Sequence, residues 1–179
     1  MKIESLIFWA PAATVDLFKE YCIDPIMDKR VKRFAMFILK HRTENDDDCA
    51  GIYNKSLLYL VSNAFEDKPR IPIFRDGIPL IGMQKFVDPD GSKSKVDPKI
   101  RAMVKNGYVD LIMSPNEDVV GLNSAARSKK HGDFDNDNAT LLATLARILN
   151  KTKVGGEIVS HPTSGEQKSK RMNIERQAS

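Results

Sequence analysis

Apolar residues occur along this chain in short runs separated by polar, Pro- and Gly-rich stretches, and the spacing inside each run predicts its element. Ser5-Leu6-Ile7-Phe8-Trp9-Ala10 is nearly continuous in apolar side chains and stops at Pro11, which predicts a strand buried on both faces. Thr14 to Tyr21 predicts a helix capped by Thr14, and Asp24-Pro25 has the form of an N-cap followed by Pro at the first helical position. Ile26, Met27, Val31, Phe34, Ala35, Ile38 and Leu39 then recur at helical spacing with Lys29, Arg30, Lys32 and Arg33 mostly opposite, so a basic amphipathic helix is expected to about Lys40. Ser56 to Ser62, SLLYLVS, has strand length, although its Leu pair also suits a buried helix. A short helix is expected over Pro98 to Lys105, between an Asp97 cap and a Gly107 stop. Tyr108 to Met113 predicts a third strand, ended by Ser114-Pro115. The clearest helix comes last: Leu141, Leu142, Leu145, Ile148 and Leu149 mark one face expected to pack on the core, with Asp137 or Asn138 as cap.

Strand, helices, strand, helix, strand, helix is the order of an α/β protein: a parallel sheet of few strands flanked by helices. The composition, 41% hydrophobic and 29% charged over 179 residues, suits one globular domain. That domain is expected over residues 1–150, because from residue 151 the chain turns to Gly, Ser, Lys and Glu and predicts a disordered basic tail. Most of the net charge of +4 belongs to that tail. The body is close to neutral and lacks the clustered basic residues of a nucleic-acid footprint. Cys22 and Cys49 have neither CxxC nor Cys/His spacing, so no zinc site, other metal or cofactor is indicated. No apolar run approaches the roughly 18 residues that predict a transmembrane helix. A single Lys before an apolar stretch broken by Pro11 makes a poor signal peptide, which leaves the cytoplasm as the expected location.

His131 stands in a polar loop just before the closing helix, beside Asp133, Asp135 and Asp137. A calcium loop would need Gly where Asn138 stands and Glu where Thr144 stands. A phosphoryl-transfer Asp-x-Asp motif would follow an apolar strand, not Lys129-Lys130-His131-Gly132. What remains is helix capping, with the acids at the positive end of the helix dipole, and a loop that presents an imidazole suited to proton transfer near neutral pH.

With its Trp9-Ala10-Pro11-Ala12-Ala13 turn, the helices after it, and the H-G-D-F-D-N-D loop leading into the last helix, the chain resembles the C-terminal half of an α/β-hydrolase. The resemblance covers residues 1–149. It implies an ester or lipid hydrolase in which His131 is the general base and acid, with Glu66 or Asp67 as the triad acid at the end of the second strand. Asp76 is a weaker candidate, and Glu117 and Asp118 enter if the strands pair otherwise. The departure is that no G-x-S-x-G elbow is present; Ser62 and Ser164 lack its context. Alone, such a chain should not hydrolyse esters, and the nucleophile would come from a missing N-terminal half or a partner chain. The first strand would then offer an edge for a homodimer or a partner chain. The alternative is a non-catalytic α/β interaction module or a degenerate hydrolase relative.

Overall fold

The computed structural model describes residues 2–46, 57–64, 77–91 and 94–156. Strands β1 (Leu6–Trp9), β2 (Phe34–Leu39) and β3 (Asp110–Ser114) form one parallel sheet in the order β1-β2-β3. Leu6 lies opposite Phe34, and Leu39 opposite Ser114. The α/β arrangement expected from the order of elements is therefore present, with β2 at its centre.

β2 is the segment FAMFIL, which the helical reading of 24–40 had absorbed. The helix ends much earlier. Helices α1 (Val15–Tyr21) and α2 (Ile23–Met27) precede a turn in which Lys29 adopts φ 56°, a left-handed conformation that no continuing helix tolerates. From Phe34 to Leu39 no side chain is more than 4% exposed. A strand covered on both faces has no polar alternation, so it reads as a continuous apolar run. Burial of each large side chain contributes about 1.5–3 kcal/mol, which outweighs helix propensities that differ by tenths.

The second correction falls on SLLYLVS. Leu57–Ala64 is a helix, α4, with Leu58, Tyr59 and Ser62 buried and Leu57 and Leu60 exposed, a 3.6-residue and not a two-residue period. β1 also departs from expectation. It lies at an edge of the described sheet, and all four of its side chains are only half-buried.

Alternation along β2 gives the sheet two covered faces. Phe34 packs with Phe8 and with Phe18 of α1, ring centroids 5.4 and 5.9 Å away. On the other face the Arg147 guanidinium of α7 (Asn138–Ile148) lies 5.4 Å from the Phe37 ring centroid. α7 runs antiparallel to the strands: Asp137, at its start, ties to the loop beyond β3, and Arg147, near its end, pairs with Asp110 at the beginning of β3 (3.4 Å). Helices α5 (Gln84–Val87) and α6 (Pro98–Lys105) complete the described body, α6 capped by Asp97 as expected. Residues 151–154 do not start a tail: Asn123 N–H donates to the Thr152 carbonyl (3.0 Å) and Val154 N–H to that of Gly121 (2.9 Å). Residues 157–179 lie outside the described residues.

Candidate functional site

Parallel strands end on one edge of their sheet, and ligands of open α/β sheets gather outside that edge. Here the edge carries Ala10-Pro11 after β1, His41 and helix α3 (His41–Asp46) after β2, and Ser114-Pro115, a cis peptide, after β3. The ends are tied together. Ala10 N–H donates to the Phe37 carbonyl and Lys40 N–H to the Ser114 carbonyl, both at 2.8 Å.

One wall is α3, which follows directly from β2. Its first backbone N–H, that of His41, donates to the Gln84 side-chain oxygen (2.6 Å), and Gln84 in turn donates to Asp88 (2.9 Å). His41 Nδ1 lies 3.1 Å from the Tyr59 hydroxyl and Nε2 lies 3.3 Å from Asn45 Nδ2. The Lys85 ammonium stands 5.3 Å from the Tyr59 ring centroid and 4.8 Å from that of Phe86. One turn into α3, Glu44 is 0% exposed, the one fully buried acid among the described residues. Carboxylates are seldom buried without a hydrogen-bonded or charged partner, so such a position ranks as a functional candidate ahead of any surface acid.

The other wall is the loop from Pro115 to Asp137, which would unravel without its brackets. Asn116 accepts from Ala126 N–H (3.2 Å) and donates to the Ser124 carbonyl (2.7 Å). Ser114 Oγ donates to the Ser128 carbonyl (2.7 Å), fixing the loop to the end of β3. Asp137 does double service. It accepts from Ala139 and Thr140 N–H as the α7 cap, and from Arg127 N–H (2.6 Å) and Ser128 N–H (3.2 Å) as the loop's anchor. Asp133 accepts from Lys130 N–H (2.9 Å), closing the 3-10 turn His131–Asp133. The acidic cluster thus orders backbone, as the capping reading expects, and His131 opens the turn partly exposed with Nδ1 shielded from solvent.

Between the walls lies a cleft of about 380 Å³ lined by Thr43, Asp46, Pro115, Lys129 and Lys130. Glu44 sits on the helix of one side and His131 follows the lysines of the other. Glu66, Asp67 and Asp76 lie outside the described residues. Glu117 and Asp118 are exposed beyond β3. Nor do the buried serines offer a nucleophile: Ser62 Oγ donates to the Ile78 carbonyl (2.6 Å), Ser114 Oγ to that of Ser128, and Ser128 Oγ lies 3.3 Å from Asp137.

Sequence reasoning missed His41 and Glu44 because it ran a helix to about Lys40, which hid the strand end they follow. The signal was available in the six unbroken apolar residues before Lys40, which mark a central strand and hence put His41 at its carboxyl end. Among the described residues no three His, Cys, Asp or Glu side chains come together to hold a metal ion, and no helix is long and apolar enough to cross a membrane. Comparison with family models, curated proteins and solved structures returns no match.

Proposed function

We propose that this chain is the histidine-bearing part of a serine ester or lipid hydrolase of α/β type, with His131 as general base and acid. The observation that carries the reading is the pair of walls: Glu44, fully buried one turn past the central strand, and His131, past its parallel neighbour, each stand next in sequence to residues that line one cleft, Thr43 on one side and Lys129 and Lys130 on the other. A neutral imidazole takes the proton of an attacking hydroxyl and returns it to the leaving group; a carboxylate orients it and stabilises the imidazolium. The triad acid is expected after the second strand of the sheet. Because that strand is β2 and not residues 56–62, Glu44 takes the role first given to Glu66 or Asp67. The serine and its oxyanion donors come from another polypeptide segment, since the 179 residues contain no G-x-S-x-G and the buried serines are engaged as donors. The cytoplasm is the proposed place of action.

The test has two arms. A fluorophosphonate probe applied to the protein isolated from the cells that make it should label the assembly that contains this chain, and His131→Ala should suppress labelling with melting unchanged. In the isolated chain, Glu44→Gln should lower the pKa of His131 measured by NMR titration, because a carboxylate partner favours the charged imidazolium. An unlabelled assembly ends the hydrolase reading. A titration that ignores Glu44→Gln removes Glu44 alone.

A further inference from the structure

A second cavity lies where the strands begin, at the edge of the sheet opposite the cleft. Its volume is about 520 Å³, inside the range of roughly 300–1,000 Å³ that small-molecule sites occupy. Two turns build it. One carries α2 into β2 and is pinned to the start of the chain: Ile3 N–H donates to the Arg30 carbonyl (2.8 Å) and Lys32 N–H to that of Ile3 (2.9 Å). The other carries α6 into β3 and presents Asn106, Gly107 and Tyr108. Ile26, Val31 and Phe34, all buried, add apolar lining.

The lining is otherwise cationic. Lys29, Lys32 and Arg33 face a single acid of the same cavity, Asp110. Carboxylates answer only part of that charge. Glu4 pairs with Lys32 at 2.5 Å but reaches Arg33 only at 3.9 Å, and Asp110 is shared with Arg147 at 3.4 Å. Among the described residues Lys29 has no carboxylate within ion-pair distance, and neither the Asn106 amide nor the Tyr108 hydroxyl has a hydrogen-bond partner.

Lysines past a helix end commonly serve its last carbonyls, but here the backbone has taken them. The carbonyls of Asp24, Pro25 and Ile26 accept from Asp28, Val31 and Lys29 N–H, and those of Ala102, Met103 and Val104 from Asn106, Tyr108 and Gly107 N–H. Lys29 stands at φ 56° just past the α2 cap, a position that glycine fills by default because a Cβ is disfavoured there. The backbone therefore bears a cost to keep an ammonium at this cavity. The basic run 29–33 spans one turn, too short for a nucleic-acid track, which repeats its cations along a backbone.

We propose that this cavity binds a small phosphomonoester, with the phosphate between Lys29 and Arg33, the Tyr108 hydroxyl and Asn106 amide as further donors, and the organic body against Ile26 and Phe34. Two cations match a dianion, and the guanidinium fork fits a pair of phosphate oxygens. A lone inorganic anion would leave most of the volume to water. The proposal does not depend on the hydrolase reading.

The experiment follows the isotope-labelled chain by NMR as AMP or glycerol phosphate is added, with adenosine, glycerol and sodium chloride at equal ionic strength as controls. The amides of Lys29, Arg33 and Tyr108 should shift with at least one phosphomonoester at millimolar concentration and with none of the controls. Lys29→Gly removes the ammonium and suits the left-handed backbone, so the chain should stay folded and bind about tenfold more weakly, the share of one charge-assisted hydrogen bond. Arg33→Gln should weaken binding at least as much. Silence of those amides toward both phosphomonoesters, equal shifts with sodium chloride, or binding that either variant leaves unchanged overturns the inference.

Discussion

Asp97 shows what one side chain contributes and when it is lost. Burial works to raise its carboxyl pKa, but the Lys19 ammonium at 3.0 Å and the Lys99 N–H at 2.8 Å prevail and hold it below the ordinary carboxylate value. A depressed folded pKa adds stability that is complete above the unfolded value, near 3.9, and drains away as pH falls through the folded one. Melting temperature should therefore drop as pH is lowered below about 5, and Asp97→Asn, which keeps a capping oxygen but loses the charge that pairs with Lys19, should flatten that drop. Parallel melting curves for the two proteins from pH 6 to pH 2.5 would show that Asp97 has no share in the acid response. Caps of this kind were legible in the sequence: Thr14, Asp97 and Asp137 each accept from the backbone N–H groups they were expected to satisfy. Glu44 was not, because a buried acid is marked by its surroundings in three dimensions and not by its neighbours in the chain.

At the scale of elements, the apolar pattern gave existence more faithfully than type. β1, β3, α6 and α7 form where expected, while β2 and α4 exchange the strand and helix assigned to them. Both errors have one cause: a fully buried strand has no two-residue alternation, and a short helix with two exposed Leu has little polar face. In α7 the period was right and the direction wrong, since three alanines and an inward Arg147 let the helix sit close to the sheet with its bulkier Leu and Ile outward. The two faces can be told apart. Leu142→Asp puts an unpaired carboxylate in a site only 3% exposed and should unfold the domain, a loss of several kcal/mol. Leu145→Asp, on the half-exposed stripe, should leave the isolated chain folded with a melting temperature only slightly changed. Equal loss of structure in both would place Leu145 in the core after all.

For the whole molecule the question is how a parallel sheet of three strands lives with an apolar edge. β2 is sheltered by strands on either side and by helices on both faces; among the described residues β1 pairs with β2 on one side only, and its side chains are half-buried although Phe8 meets Phe18 of α1 and Trp9 meets Thr144 of α7. Amide exchange reads this asymmetry residue by residue. In the isolated chain the N–H groups of Leu6 and Ala10, bonded to the carbonyls of Arg33 and Phe37, should exchange slowly, and those of Ile7 and Trp9, which point away from β2 by the alternation of a parallel ladder, quickly. Slow exchange at Ile7 and Trp9 in the isolated chain, at every concentration down to the most dilute, would mean that residues of this chain already cover the edge. The sheet would then have no place for a further strand, and a serine would have to reach His131 by a route other than the end of a neighbouring strand.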